Sequence, residues 1–79
     1  MKIPRDVSGE RLARSLCKTW QYALVHQTGS HIILETREPF QQRIAIPNHD
    51  AIRVGTLNSI LRAVSTHKRA TRELIVAGL

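Results

Sequence analysis

The sequence predicts an α+β fold: a two-layer sandwich in the order α-β-β-β-α, with the helices on one face of a three-stranded antiparallel sheet. Apolar residues recur at helical spacing near both ends of the chain, and between them the period changes to two. The loops between the three predicted strands are short, which favours an antiparallel meander. We take residues 1–79 as a single domain, because the chain has only 79 residues.

The first predicted helix covers Gly9–Thr19. Ser8 is a good N-cap, and Leu12 and Leu16 follow at helical spacing. Gly9 lies in the first turn, where glycine costs a helix less than in its middle.

The second predicted helix covers residues 55–65 and opens at Gly55-Thr56. Its apolar residues fall at i, i+3, i+4 and i+7, which predicts one buried helix face. These residues are Leu57, Ile60, Leu61 and Val64. We expect Ser65 or Thr66 to cap a last short helix over residues 68–76.

The three predicted strands are Tyr22–Gln27, Ser30–Thr36 and Gln42–Ile46. Thr28-Gly29 supplies the first turn, and Pro47 ends the third strand because proline cannot continue a ladder.

Strand faces follow from counting away from the first turn, which places His26 directly opposite His31. Since side chains alternate between faces, one set is expected in the core and the other on an open face. The expected core face holds Ala23, Val25, Ile32, Leu34, Ile44 and Ile46. The expected open face holds Tyr22, Leu24, His26, His31, Ile33, Glu35, Arg43 and Ala45. The full predicted core is Leu12, Leu16, Val25, Leu34, Ile44, Ile46, Leu57, Ile60, Leu61 and Val64.

Charge is the clearest functional signal of the composition. Twelve Lys and Arg residues against six acidic ones give a formal net charge of +6, which favours a polyanionic partner. Cys17 is the only cysteine, so no internal disulfide forms and a reducing, cytoplasmic location is expected. No apolar run reaches the roughly 20 residues of a membrane span.

Metal and nucleotide cofactors are not expected. The four histidines and one cysteine lack the spacing of metal ligands, and no nucleotide-binding glycine loop occurs. His26, His31 and Arg43, placed on one open face, instead make a plausible phosphodiester-cleaving set. The alternative is that His31 is simply a solvated strand histidine.

Several short motifs together resemble a known family. In chain order these motifs are Val7-Ser8-Gly9, Gly29-Ser30-His31, Ile46-Pro47 with His49, Gly55-Thr56-Leu57 and Ile60-Leu61-Arg62. Their order and spacing resemble the HicA family of toxin–antitoxin ribonucleases over nearly the whole chain. Thr28 stands where many family members carry Lys or Arg, and Arg43 is the candidate to compensate for that missing charge.

The resemblance implies a fold like that of the double-stranded-RNA-binding domain and metal-independent cleavage of messenger RNA. It implies His31 as the catalytic residue, and a HicB-like antitoxin protein that covers the site. Gly29, Ser30, Arg43, His26 and His49 are the candidate RNA-binding or supporting residues. Gly29 also has a simpler explanation as a turn residue, Ser30 as a strand-edge hydroxyl and His49 as a surface histidine.

Two other functions stay open from the sequence. A non-catalytic RNA-binding module would share the fold, the charge and the exposed sheet. A protein-interaction domain would use Tyr22, Leu24 and Ile33 as a docking surface.

Overall fold

The computed structural model describes residues 3–79 and contains three helices and three strands in that range. In chain order these are α1 Gly9–Thr19, β1 Ala23–Gln27, β2 His31–Thr36, β3 Gln42–Pro47, α2 Val54–Lys68 and α3 Arg72–Ala77. The strands form one antiparallel sheet in the order β1-β2-β3. Helix α1 packs on β2 and β3, and α2 packs on β3, which confirms the predicted α+β fold.

Helix α1 begins and ends where the sequence predicts. The Ser8 hydroxyl accepts the backbone N–H of Arg11 at 3.0 Å, which satisfies one of the free donors of the first turn. Leu12 and Leu16 are completely buried, so the predicted apolar stripe is the face that meets the sheet.

The boundary between α2 and α3 differs from the prediction. Ser65 and Thr66 lie inside α2, which ends at Lys68, and Arg69 follows in the left-handed conformation with φ of 55°. The N–H of Arg69 donates to the carbonyl of Ser65, and the left-handed conformation of Arg69 stops the helix from continuing. Thr71, rather than Ser65 or Thr66, caps α3, because its hydroxyl accepts the N–H of Leu74 at 3.1 Å.

The core confirms most of the predicted positions. The buried members are Leu12, Leu16, Leu34, Ile46, Leu57, Ile60, Leu61 and Val64. Ile44 is only partly buried against this cluster. Val25 was predicted to be buried and is 46% exposed; that prediction is wrong.

The register of β1 against β2 explains the error at Val25. His26 pairs with Ile33, and Leu24 pairs with Leu34, so Val25 is an extra residue in a β-bulge between them. A one-residue insertion reverses the faces of everything before it.

The reversal places two predicted open-face residues on the helix side. Leu24 lies beside Leu34 in a cleft under α1, and Tyr22 is only 4% exposed. Ala23, predicted to be in the core, pairs with Glu35 and is exposed. The assignments of Ile32 and Leu34 to the core face are confirmed.

Candidate functional site

His31 begins β2, directly after a turn that Thr28 organises. The Thr28 hydroxyl accepts the backbone N–H groups of Ser30 at 3.2 Å and His31 at 3.0 Å. The N–H of Thr28 donates to the carbonyl of His31 at 2.9 Å. Thr28 therefore pairs with His31 and leaves Gly29-Ser30 as the two-residue loop.

This turn overturns the predicted pairing of His26 with His31. The sequence indicated Thr28-Gly29 as the turn, whereas the hydroxyl of Thr28 moves the turn one residue along the chain. His26 consequently pairs with Ile33. It lies diagonally from His31 on the open face, and such diagonal neighbours are about 7–8 Å apart.

The ring of His31 is exposed and has one neighbour along the chain. Its Nδ1 lies 3.1 Å from the hydroxyl of Ser30. That contact orients the ring and leaves Nε2 for a ligand. The Ser30 hydroxyl also lies 3.3 Å from that of Thr28, so two consecutive polar contacts connect the His31 ring to Thr28.

A second set of contacts holds the turn from the far side. The N–H of Asn48 donates to the carbonyl of Ser30 at 2.9 Å, and the N–H of Gly9 donates to the carbonyl of His49 at 2.9 Å. His49 is exposed and follows Asn48 directly, so its backbone belongs to the segment that holds the turn.

Gly9 allows this segment to approach α1. A Cβ atom at position 9 would lie 2.0 Å from the carbonyl oxygen of Pro47 and 3.2 Å from the Cα of Asn48. Only glycine fits without moving backbone. Gly29, in contrast, has open space around it and a negative φ, so its backbone is accessible from solvent.

Arg43 lies on the open face as predicted, but not beside His31. His31 pairs with Pro47, while Arg43 pairs with Glu35 four residues earlier along β3. At the usual rise of a strand that separation is about 13 Å. The Arg43 Nη2 atom also donates to Glu35 Oε1 at 2.9 Å. This contact is the main reason that the pKa of Glu35 lies below its usual range.

Three positions make contacts that support the site or its surroundings, and the sequence did not predict these contacts. The close approach at Gly9 and the two bonds accepted by Thr28 depend on residues far along the chain or on side-chain rotamers. Phe40, exposed in the β2–β3 loop, is the third, and the available signal was an aromatic residue in an otherwise polar loop.

The part of the chain that the structure describes, residues 3–79, shows no group of three or more His, Cys, Asp or Glu side chains placed to hold a metal ion. No helix within that range is long and apolar enough to cross a membrane.

The fold and this exposed histidine define a small, basic α+β protein with a polar site at one end of an antiparallel sheet. The family model described as HicA toxin of bacterial toxin-antitoxin matches residues 12–65. The match covers more than half of the chain, so the chain belongs to the HicA toxin family. No curated protein and no solved structure matches it.

Proposed function

We propose that this HicA-family toxin is a metal-independent endoribonuclease that cleaves messenger RNA in the cytoplasm, with His31 as general acid or base. The observation that carries the proposal is the exposed imidazole, held through its backbone by Thr28 and through Nδ1 by Ser30. Family membership supports the role of toxin in a toxin–antitoxin pair.

Histidine suits this chemistry because its ordinary pKa, about 6.5, lets it take and give a proton near neutral pH. In the proposed reaction the ribose 2′-oxygen attacks the adjacent phosphorus and the bond from phosphorus to the 5′-oxygen breaks. One proton leaves the 2′-hydroxyl and one is given to the departing 5′-oxygen. The Nε2 atom of His31 performs one of these transfers.

The other transfer needs a second group, and two histidines are available. His26 is the diagonal neighbour of His31 on the open face. His49 follows Asn48, which bonds to Ser30. Ser30 and the accessible backbone at Gly29 are the proposed contacts for the phosphate. Arg43 contributes to the field of the open face rather than to the reacting phosphate, since its guanidinium is paired with Glu35.

The test is cleavage of a defined RNA by the wild type and by His31→Ala, with RNA binding measured separately. We expect His31→Ala to lower the cleavage rate by about 10²–10⁴-fold and to leave the fold and most of the RNA affinity intact. His26→Ala and His49→Ala are the matched comparisons that identify the second group. A chelator is expected to leave the rate unchanged, and RNA with a 2′-deoxy nucleotide at the cleaved position should resist.

Cleavage by purified His31→Ala at the wild-type rate would contradict the assignment of His31 as general acid or base. The chain would then be better described as a non-catalytic RNA-binding module, provided that RNA affinity is present and falls steeply with salt.

We further propose that a HicB-like antitoxin covers the open face around His31. The docking surface predicted from Tyr22, Leu24 and Ile33 needs correction, because Tyr22 is buried and Leu24 lies on the helix side. Val25 takes their place in the proposed docking surface, since it lies in the β1 bulge next to His26 and is 46% exposed.

β1 is also an edge strand of the sheet, so a partner can reach both its side chains and its backbone. Val25→Asp should weaken antitoxin binding while cleavage continues. Leu74→Asp is the control, since Leu74 is similarly exposed, at 58%, but lies in α3. Equal antitoxin affinity for the wild type and Val25→Asp would contradict the placement of the antitoxin on β1.

A further inference from the structure

A second cleft opens at the other end of the sheet, between the β2–β3 loop and α2. It has a volume of about 430 Å³ and is lined by Phe40, Gln42, Arg62, Ala63, Thr66 and His67. Phe40 is 65% exposed, the highest value among the large hydrophobic side chains of residues 3–79. None of the lining residues is acidic.

The ring of Phe40 is supported although it is exposed. It meets the ring of His67 edge to face, with centroids 4.3 Å apart and planes at 66°. His67 is only 6% exposed, so its ring is a fixed surface on which Phe40 packs.

The loop that carries Phe40 is tied to α2 as well. The ammonium of Lys68 donates to the Thr36 hydroxyl at 2.8 Å and to the Glu38 carbonyl at 2.6 Å. An exposed aromatic ring on an anchored loop keeps its position without a partner, which lowers the entropy cost of stacking on it.

Some polar groups of the cleft are held by hydrogen bonds, and others have no partner among the residues that the structure describes. Gln42 is fixed, because its amide donates to the carbonyl of Ala63 at 3.2 Å and accepts from the Tyr22 hydroxyl. Arg62 makes no ion pair within the described residues 3–79. The Nε2 atom of His67 is buried and has no hydrogen-bond partner in that range.

We propose that this cleft binds one unpaired base of a single-stranded RNA, with the base stacked on Phe40 and a neighbouring phosphate on Arg62. An exposed aromatic ring beside a cation is the arrangement that single-stranded nucleic acids use on proteins. The inference rests on the proposed function in taking RNA as the ligand.

The cleft and His31 lie at opposite ends of β3. His31 pairs with Pro47 at one end of β3, and Gln42, which lines the cleft, is at the other end. The rise of a strand makes that separation about 17 Å. The cleft would therefore select RNA by a contact outside the cleaved step.

The experiment uses the His31→Ala protein, which should bind RNA without cutting it, and a labelled single-stranded RNA with an abasic nucleotide placed at each position in turn. We expect one abasic position to weaken binding by roughly 5- to 150-fold, the usual range for losing one stacked base. Adding Phe40→Ala should weaken binding of the intact RNA to a similar degree and make that abasic position neutral. Phe40→Trp should restore the sensitivity.

Leu74→Ala is the matched control, since it removes a comparably exposed apolar side chain from α3. Arg62→Gln is a second variant that tests the same cleft through the salt dependence of binding, whose slope should fall by about one. Thermal unfolding of each variant checks that the fold persists.

The outcomes separate this inference from the proposed function. A flat abasic scan with full affinity in Phe40→Ala overturns the base-binding cleft, whatever the cleavage assay shows. A loss of antitoxin affinity alone in Phe40→Ala also overturns it and makes the cleft a protein contact. A Phe40-dependent abasic position in a chain whose wild type does not cut RNA supports the cleft and overturns the nuclease. Absence of any RNA binding overturns both.

Discussion

The two ends of the sheet hold their candidate functional side chains, His31 and Phe40, by different means. The His31 end, comprising residues 28–31 and 47–49, is held by backbone hydrogen bonds and by one small hydroxyl side chain. The Phe40 end, comprising residues 36–42 and the facing residues 62–68, is held by the long side chains of Lys68 and Gln42. The first end fixes a position closely, and the second supports a side chain that stands in solvent.

This difference predicts how each end responds to substitution. At the His31 end, position 9 has no room for a Cβ atom, and only a hydroxyl at position 28 accepts the two backbone N–H groups. Side-chain contacts at the Phe40 end are longer and more adaptable, since each long side chain has several rotamers. Substitutions at the first end should consequently have the larger effects.

Gly9→Ala is the strongest test of the His31 end. The new Cβ would collide with the carbonyl of Pro47, so α1 and the 47–49 segment must separate. We expect the free energy of unfolding to fall by about 1–3 kcal/mol, the usual cost of overpacking. Chemical denaturation measures this, and RNA cleavage should fall as well, because Ser30 loses its anchor at Asn48.

Gly55→Ala is the matched control for that experiment. Nothing lies within 4 Å of the Cβ position there, and alanine favours a helix over glycine. Stability should be unchanged or slightly higher. Equal stability of the two alanine variants would mean that the backbone contact at Gly9 does not constrain the fold.

Thr28→Val tests the hydroxyl that positions His31. Valine keeps the shape of threonine but removes the acceptor for two backbone N–H groups. We expect the cleavage rate to fall by up to roughly 10²-fold, because a small misplacement of a catalytic group is costly. RNA affinity should change little, and Thr28→Ser should restore the rate. A parallel loss of affinity and rate would indicate a general disturbance of the turn instead.

The strand order, the first helix and most of the core were predictable because they follow from periodic burial. Leu12, Leu57 and Leu61 reveal their helices through spacing alone, and the alternation in β2 and at Ile46 reveals the sheet. Val25 was not predictable, since a bulge depends on how two strands meet. The same holds for the pairing of His26, which changed because the side chain of Thr28 took a role that the sequence pattern does not show.

The candidate site divides in the same way. His31 could be identified as a candidate from the Gly29-Ser30-His31 motif. Its exposure in the structure agrees with the expected open face. Its catalytic role stays a prediction. Strand register puts Arg43 beside Glu35 at a distance from the turn, and its part in RNA binding stays a prediction. The roles of Gly9 and Phe40 could not be predicted, because they depend on contacts between segments far apart in sequence.

Tyr22→Phe tests the Phe40 end. The Tyr22 hydroxyl bonds to Gln42, and its removal should lower the free energy of unfolding at neutral pH by about 1 kcal/mol. Burial raises the pKa of Tyr22 to about 12, while an unfolded chain ionises its tyrosine near pH 10. The wild type should therefore lose stability as pH rises from about 10 to 12, and Tyr22→Phe should lack that loss.

Tyr22 is the only tyrosine of the chain, so an ultraviolet titration of the folded protein reports it alone. A midpoint at the ordinary value would show that the phenol is open to solvent and that the contact with Gln42 does not order this end.

The smallest effect should come from the middle of the open face, which belongs to neither end. The hydrogen bonds from Arg43 and Gln41 to Glu35 hold the pKa of this carboxyl below its usual range. Arg43→Gln should raise that pKa towards the ordinary value, as followed by NMR titration of the carboxyl carbon. Arg37→Gln is the control, since Arg37 stands 4.0 Å from Glu35 and contributes least to the shift.

A carboxyl with a lowered folded pKa stabilises the fold above its unfolded pKa, and this contribution is lost as pH falls through the folded value. The wild type should thus lose slightly more stability than Arg43→Gln between pH 5 and the folded pKa of Glu35. Identical acid profiles and an unchanged Glu35 titration in Arg43→Gln would mean that Arg43 is not held by the carboxylate. In that case its guanidinium would be free to bind the phosphates of RNA.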